Sequence, residues 1–174
     1  MSGVILYQSK YGATKKYADW LSEATGFKCI ETKKADINEV VKFDTNVLGG
    51  GIYASGIAGL PFLKKNIKKL IGKKIIVFCC GASPYEESAF KQILERNLKD
   101  GLSDIPAFYC HGAFDFSKMT FVDRKLCNML RKVVAKKDPS HYGLWEKALI
   151  DARDKQNDWT DKKYIEPIIA CING

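Results

Sequence analysis

The sequence has no apolar run long enough to cross a bilayer. The longest uninterrupted run, Ile75 to Cys80, has only the length of a buried strand. A strand pattern begins at about Gly3, which leaves no room for a charged region followed by an apolar signal core. We therefore expect an intracellular, cytoplasmic protein.

Cysteine and histidine patterns typical of metal or redox sites are also missing. There is no Cys-x-x-Cys motif, and neither His111 nor His141 has a partner recognisable from spacing. We predict no metal site and no catalytic side chain, and expect free, mostly buried thiols. Cys79 and Cys80 should point to opposite faces of a strand, and nothing nearby predicts a lowered thiol pKa. The six cysteines are Cys29, Cys79, Cys80, Cys110, Cys127 and Cys171.

The chain lacks the Gly-x-x-x-x-Gly-Lys-Ser/Thr loop of nucleoside triphosphatases, and its first loop lacks Gly-x-Gly-x-x-Gly. That loop, between an apolar strand and a predicted helix, reads Ser9, Lys10, Tyr11, Gly12, Ala13, Thr14. Amide groups at a helix start attract an anion, two hydroxyls add donors, and Gly12 permits the turn. The loop predicts a site for a single phosphate on a mononucleotide, and a plain loop with a threonine cap is the alternative.

Composition and charge limit the class of protein. The chain has 174 residues, 46% hydrophobic and 28% charged, as expected for one globular domain spanning 1–174. The net charge of +8 favours acidic partners, nucleic acid or an anionic membrane. We expect no nucleic acid, because the basic residues show little aromatic interleaving. The lysines from Lys64 to Lys74 are interpreted as a solvated surface.

Strand and helix patterns alternate, which predicts a parallel sheet with helices on both faces. The predicted strands are Val4 to Gln8, Lys28 to Thr32, Thr45 to Gly50, Ile75 to Cys80 and Ala107 to Cys110. The predicted helices are Ala13 to Thr25, Asn38 to Lys42 (or a turn), Leu60 to Ile71, Glu86 to Lys99 and Lys162 to Cys171. Ligands of such sheets bind at the carboxyl ends of the strands, in either common strand order.

Two further loops follow strands at that edge. The segment Gly49 to Gly56 contains a formal Gly49-x-Gly51-x-x-Ala54 match to a dinucleotide fingerprint, which we reject because no helix follows directly. We interpret it as a glycine-rich turn that contacts a flat ring, with a plain turn as the alternative. The loop Cys80 to Tyr85 would form a wall beside the ring, and Tyr53 and Tyr85 are candidates to stack on it.

The segment from Gly112 to Asp161 is longer than a crossover needs and contains a basic amphipathic helix, Val122 to Lys137. Its apolar positions are Val122, Leu126, Met129, Leu130 and Val133, and its basic positions are Arg124, Lys125, Arg131 and Lys132. We expect the apolar side to pack on the core of the domain. Docking on an anionic membrane, where a quinone could be met, is the alternative.

With these three loops, the chain resembles the flavodoxin family of FMN proteins over nearly its whole length. The resemblance implies an α/β, doubly wound, five-stranded parallel sheet of order 2-1-3-4-5, with an insertion after the fifth strand. It implies that FMN binds, with its phosphate on Ser9, Lys10, Tyr11, Gly12, Ala13 and Thr14, and its ring between Gly51, Ile52, Tyr53, Ala54 and Gly81, Ala82, Ser83. Lys10 departs from the usual Thr or Ser, and the basic charge departs from the acidic balance typical of electron carriers.

The insertion resembles more narrowly the branch that includes menaquinone-dependent protoporphyrinogen IX dehydrogenase. The similar segments are Gly112 to Met119 with the basic helix, Asp151-Ala152-Arg153 and Asp158-Trp159-Thr160. This implies electron transfer or oxidoreduction through the flavin, with a redox partner protein or a quinone, and peripheral contact with the inner face of a membrane. Whether the chain is an enzyme or a carrier stays open, and a non-redox module that binds a phosphate ligand is a further alternative. A phosphoacceptor regulator is disfavoured, because Gln8 and Ser9 stand where paired acids are expected.

Overall fold

The computed structural model describes residues 2–99, 101–152 and 156–174. The strands are β1 (Gly3–Gln8), β2 (Lys28–Glu31), β3 (Thr45–Tyr53), β4 (Gly56–Ile57), β5 (Lys74–Gly81), β6 (Ala107–His111), β7 (Ala113–Asp115) and β8 (Gln156–Asp158). The helices are α1 (Ala13–Thr25), α2 (Ile37–Val40), α3 (Leu60–Asn66), α4 (Glu87–Asn97), α5 (Phe121–Val134), α6 (Leu144–Asp151) and α7 (Glu166–Asn173). Short 3-10 turns connect several of these elements.

Five strands form a parallel sheet in the order β2-β1-β3-β5-β6. The short β4 pairs antiparallel with the end of β3, and β7 and β8 form a separate antiparallel pair. The predicted α/β fold and the 2-1-3-4-5 order of the parallel strands are therefore confirmed. Arg153, part of one segment of the narrower resemblance, lies outside the described residues.

Both faces of the sheet are covered, which explains the nearly continuous apolar sequences of the central strands. One face packs on α1 and α7, through side chains such as Leu21 and Ile168. The other packs on α3 and α4, through side chains such as Leu63 and Phe90. Successive side chains of β5 alternate between these two cores, so Cys79 lies in one and Cys80 in the other. Burial raises the pKa of the Cys79 thiol.

Two predicted helices have different bounds in the structure. The predicted Leu60 to Ile71 helix ends at Asn66 and continues as a 3-10 turn, Ile67–Leu70. The predicted Lys162 to Cys171 helix begins as a 3-10 turn, Lys162–Ile165, before α7. Pro167 stands in the first turn of α7, where its missing N–H costs no helical hydrogen bond.

The turn predicted within Gly49 to Gly56 begins later in the structure, because β3 extends three residues beyond the predicted strand end at Gly50, to Tyr53. Gly49 and Gly50 lie within β3, where a Cβ would overlap the Phe78 ring in one case and the Ala58 carbonyl oxygen in the other. The turn itself is formed by Ala54 and Ser55, with φ of 46° and 64°. A two-residue loop with two positive φ values matches the right-handed twist of a hairpin, so the glycines serve close packing rather than the reversal.

The hairpin between β3 and β4 is held by one side chain. The Asn97 amide donates to the Ser55 carbonyl at 2.7 Å, and its carbonyl oxygen accepts from the Ile57 N–H at 3.2 Å. These two hydrogen bonds attach the hairpin to the end of α4. Within the described ranges, no helix combines the length and apolar character needed to cross a membrane.

Gly49→Ala tests the close packing of β3 against β5. We expect it to lower the free energy of unfolding by about 1–3 kcal/mol, because the new methyl group must displace the fully buried Phe78 ring. Urea denaturation measures the loss. Gly143→Ala is the control, since a Cβ there would lie 3.7 Å from its nearest neighbour.

A double-mutant cycle with Phe78→Leu identifies the cause. The cost of Gly49→Ala should be smaller when the ring is already absent. An equal cost in both backgrounds, or a loss no larger than that of Gly143→Ala, would contradict the packing argument.

Candidate functional site

The carboxyl ends of β1, β3 and β5 meet at one edge of the sheet, and a cavity of about 320 Å³ opens there. This is the edge at which parallel α/β sheets bind ligands. Its volume lies within the range of small-molecule sites, about 300–1,000 Å³. Four structures surround it: the loop before α1, the β3–β4 hairpin, the loop after β5, and α5.

The loop before α1 presents backbone N–H groups to the cavity. Gly12 has a φ of 98°, and its N–H donates to the Ser9 hydroxyl oxygen at 3.0 Å, which closes the loop on itself. The first hydrogen bond within α1 runs from Lys16 N–H to the Gly12 carbonyl at 2.9 Å. The amides of the preceding residues in α1 therefore have no partner in their own helix. With the buried Thr14, they form an anion-binding surface.

Lys10 connects this loop to two other walls. Its backbone N–H donates to the Tyr53 hydroxyl at 3.1 Å, and its ammonium group forms an ion pair with the Asp123 carboxylate in the first turn of α5. The Tyr11 hydroxyl donates to the same carboxylate. Hydrogen bonds from Lys10 and Tyr11 lower the pKa of Asp123 below its usual value.

The hairpin wall comes close to the cavity because Gly51 has no side chain. A Cβ there would lie 2.6 Å from the Tyr53 hydroxyl oxygen, so the ring of Tyr53 crosses directly over Gly51. The Tyr11 and Tyr53 rings meet edge to face, 6.2 Å apart. Partial burial raises the pKa of the Tyr53 hydroxyl, which keeps it neutral at physiological pH.

The loop after β5 is supported from behind by Tyr109. The Tyr109 ring occupies the place of a Cβ at Gly81, and its hydroxyl donates to the Ser83 carbonyl. Burial raises the pKa of Tyr109 to about 12. Gly112 N–H donates to the Gly81 carbonyl at 2.7 Å. The loop therefore presents small residues to the cavity and has its bulk on the far side.

Tyr85 does not take the place beside the ring that the sequence suggested. It packs on Phe90 and Tyr109, with ring centroids 5.9 and 5.7 Å away, and it is not among the residues that line the cavity. Its half-exposed ring stabilises the base of the loop instead.

The structure brings most of the predicted site residues together. The predicted residues that line the cavity are Tyr11, Ala13, Thr14, Gly51, Ile52, Tyr53, Ala54, Gly81 and Ala82. Ser9, Lys10, Gly12 and Ser83 belong to the same loops. Cys80, which also lines the cavity, begins the predicted wall Cys80 to Tyr85. Lining residues that the sequence did not indicate are Gly112, Ala113, Phe114, Met119, Asp123, Leu126, Cys127 and Leu130. Five of these belong to α5 or the turn before it, and the helical spacing of Leu126 and Leu130 was the available signal.

The expected packing of the apolar side of α5 on the core was wrong. Phe121, Val122, Met129 and Val133 are 76%, 71%, 55% and 54% exposed. Only Arg131 and Val134 are buried on this helix. The apolar arc instead has two parts, one that roofs the cavity and one that faces solvent.

Arg131 takes the place that an apolar side chain would normally occupy under such a helix. Its guanidinium group lies over the rings of Phe114 and Phe116, at 5.9 and 4.9 Å. Its Nε donates to the Leu149 carbonyl at 3.2 Å, which connects α5 to α6. Stacking on aromatic rings allows a weakly hydrated guanidinium to be buried here.

The end of the insertion closes the site from behind β6. Trp159 stacks on His111 with ring centroids 4.8 Å apart, and the backbone N–H of Trp159 donates to the Gly112 carbonyl at 3.0 Å. The Tyr17 hydroxyl donates to the His111 carbonyl at 2.7 Å. Burial lowers the pKa of the His111 imidazole, so it is neutral at physiological pH. These contacts give His111 a role in the framework.

Together, the walls can hold a planar group with an anionic tail. The amides at the start of α1, which can bind an anion, lie at one end. The wall with Gly51 and Tyr53 and the wall with Gly81 and Ala82 border the space, and Leu126 and Leu130 line it on the side of α5. The described ranges contain no group of three or more side chains placed to hold a metal ion.

The chain is similar in structure to the two-electron reduced flavodoxin of Megasphaera elsdenii, with 21% identity, 62% of this chain and 82% of that chain covered, and a TM-score of 0.47. A WrbA-like flavodoxin from Agrobacterium tumefaciens is 17% identical, with 70% of this chain and 87% of that chain covered and a TM-score of 0.46. Flavodoxin 2 of Bacillus cereus is 22% identical, with 64% of this chain and 86% of that chain covered and a TM-score of 0.40.

These low values add no argument about function. No curated protein matched the sequence. The family assignment rests on a sequence model of the flavodoxin domain, which matches residues 4–142. The chain therefore belongs to the flavodoxin domain family.

Proposed function

We propose that the chain binds FMN in this cavity and transfers electrons through it. The observation that carries the proposal is the continuity of the cavity: Thr14, beside the free amides of α1, lines the same space as Gly51 and Gly81. A phosphate at the helix start and a flat ring between the two walls can thus belong to one ligand. Family membership supports the same ligand.

The residues present fit FMN in chemistry as well as shape. The dianionic phosphate suits the N-terminal amides of α1 and the Thr14 hydroxyl. The ring suits the space between Gly51 and Gly81, which both line the cavity, with the Tyr53 ring lying over Gly51 as an aromatic surface. When bound, FMN supplies reversible one- and two-electron chemistry, while the protein controls its access and potential.

The chain's own part in this function is to bind, orient and shield. The loop Ser9 to Thr14 anchors one end of the ligand, so the other end is held in register with both walls. Leu126 and Leu130 of α5 cover the cavity and exclude water from its apolar part. We propose on this basis a single domain over 1–174, which is supported by the contribution of α5 to the same cavity as β3 and the loop after β5, and by the packing of α7 against the sheet.

The purified protein should be yellow and release FMN on denaturation. Thr14→Val should weaken FMN binding by about tenfold or more, because it removes a hydroxyl from a charged acceptor at nearly constant volume. Fluorescence titration of the flavin-free protein measures the dissociation constant. Thr45→Val is the matched control, since Thr45 is equally buried but lies at the opposite end of β3.

A colourless protein that takes up no added FMN would contradict the proposal. Binding of phosphate compounds without flavin would favour the alternative, a non-redox module. Oxidation of a porphyrinogen with a quinone as acceptor would extend the proposal to the narrower resemblance.

We also propose that the electron acceptor is met at an anionic membrane surface, on the inner face, with a quinone or a redox partner protein there. The exposed stripe Phe121, Val122, Met129 and Val133 supports this proposal, because it runs beside the helix side that roofs the cavity. Basic residues flank it: Arg124, Lys125 and Lys132 surround a groove of about 640 Å³ with Phe116, Phe121 and Met129. Apolar and basic residues combined on one helix are typical of docking at a lipid interface.

Sedimentation with vesicles tests the docking. The protein should bind phosphatidylcholine vesicles that contain phosphatidylglycerol, and Arg124→Glu with Lys125→Glu should weaken binding by about tenfold or more, since each basic residue near the surface contributes on the order of 1 kcal/mol. Lys64→Glu with Lys65→Glu on α3 is the control with the same change of charge. Equal loss in both variants, or equal binding to neutral vesicles, would contradict docking through α5.

A further inference from the structure

Both donor groups of Lys10 are already engaged by neighbouring elements. Its backbone N–H is bound by the Tyr53 hydroxyl at 3.1 Å, and its ammonium group by the Asp123 carboxylate. Lys10 lies in the loop that precedes α1, so these contacts are made where an anion would approach. Tyr53 comes from the end of β3 and Asp123 from the start of α5.

The hydroxyl contact creates a competition for one hydrogen. A backbone N–H has a single proton to donate, so a phosphoryl oxygen can take it only when the Tyr53 hydroxyl gives it up. Tyr53 is neutral, and a hydrogen bond to a neutral acceptor is weaker than one to a phosphate dianion. The phosphate would displace the hydroxyl, but the net binding free energy of the phosphate would be smaller because an existing hydrogen bond must be broken.

The ion pair creates a second competition, for charge. Asp123 carries its negative charge at neutral pH, and its side chain is 23% exposed beside the cavity. A phosphate near the loop must therefore share Lys10 with a carboxylate, and is repelled by that carboxylate. A ligand of the same shape without a phosphate meets neither competition.

We propose that Tyr53 and Asp123 determine the selectivity of this site for phosphate, by occupying Lys10 and so reducing the advantage of FMN over riboflavin. The inference rests on the proposed function, because it assumes that the flavin phosphate binds at the loop. Tyr53 and Asp123 act through Lys10 and are positioning residues.

Titrations of the wild type, two variants and two control variants with FMN and with riboflavin test the proposal. Tyr53→Phe removes the competing hydroxyl and keeps the ring, so it should increase the preference for FMN, measured as the ratio of the riboflavin to the FMN dissociation constant, about two- to tenfold. Asp123→Asn should also increase this preference, and more at low salt than at high salt. Tyr85→Phe and Asp19→Asn are the controls, being an exposed tyrosine outside the cavity and an aspartate that pairs with Lys15 on the surface of α1.

Three outcomes would overturn the proposal. Tyr53→Phe lowers the preference for FMN, it shifts the FMN and riboflavin constants equally, or Asp123→Asn has no more effect than Asp19→Asn. A wild-type protein that binds neither flavin would refute the proposed function instead. In that case, titration with inorganic phosphate followed by phosphorus NMR decides, since Tyr53→Phe must then bind phosphate more tightly than wild type, and equal or absent binding overturns the proposal.

Discussion

The free amide groups at the start of α1 are the constraint around which the site is built. Because β1 ends directly before them, they must lie at the carboxyl edge of the sheet, where β3 and β5 also end. No carbonyl of the helix can accept their hydrogen bonds, so any element that covered them without an acceptor would leave buried donors unpaired. The neighbouring walls leave this edge accessible, and the cavity is the result.

Large rings in the core require glycine in the strands that lead to the cavity. Phe78 fills the place of a side chain at Gly49 inside β3, and Tyr109 does so at Gly81, which lines the cavity. The backbone at Gly81 therefore forms part of the surface of the cleft. A wall of this kind is rigid, because the rings that support it are close-packed on the interior side.

Sequence patterns predicted the parallel sheet and the loop before α1 because each depends on neighbouring residues, whereas the strand order followed only from the family resemblance. Buried strands are recognisable as apolar runs, and Gly12 before a helix is a local signal for the turn that precedes α1. The extension of β3 from Gly50 to Tyr53 could not be predicted in this way, since residues 51–53 continue the strand by pairing with β5 and with β4, elsewhere in the chain. A turn was predicted within Gly49 to Gly56, but Ala54 and Ser55 were not singled out as its turn residues because neither favours positive φ, and only the pairing of Tyr53 with Gly56 requires it.

Helical periodicity likewise predicted α5 but not the direction in which it faces. A hydrophobic arc indicates burial only when a core is available to receive it, and here the sheet faces are already covered by α1, α7, α3 and α4. Hydrogen bonds and an ion pair at Asp123, and the stacked Arg131, hold the helix in place with few buried apolar contacts. The local stability of a segment depends on the contacts that it makes with the rest of the protein. The stability of α5 in its position therefore depends largely on these polar contacts. The N-terminus of α5 is attached through the Asp123 carboxylate to Lys10 and Tyr11 in the loop before α1. The charge of that loop and the position of the cavity roof therefore depend on each other.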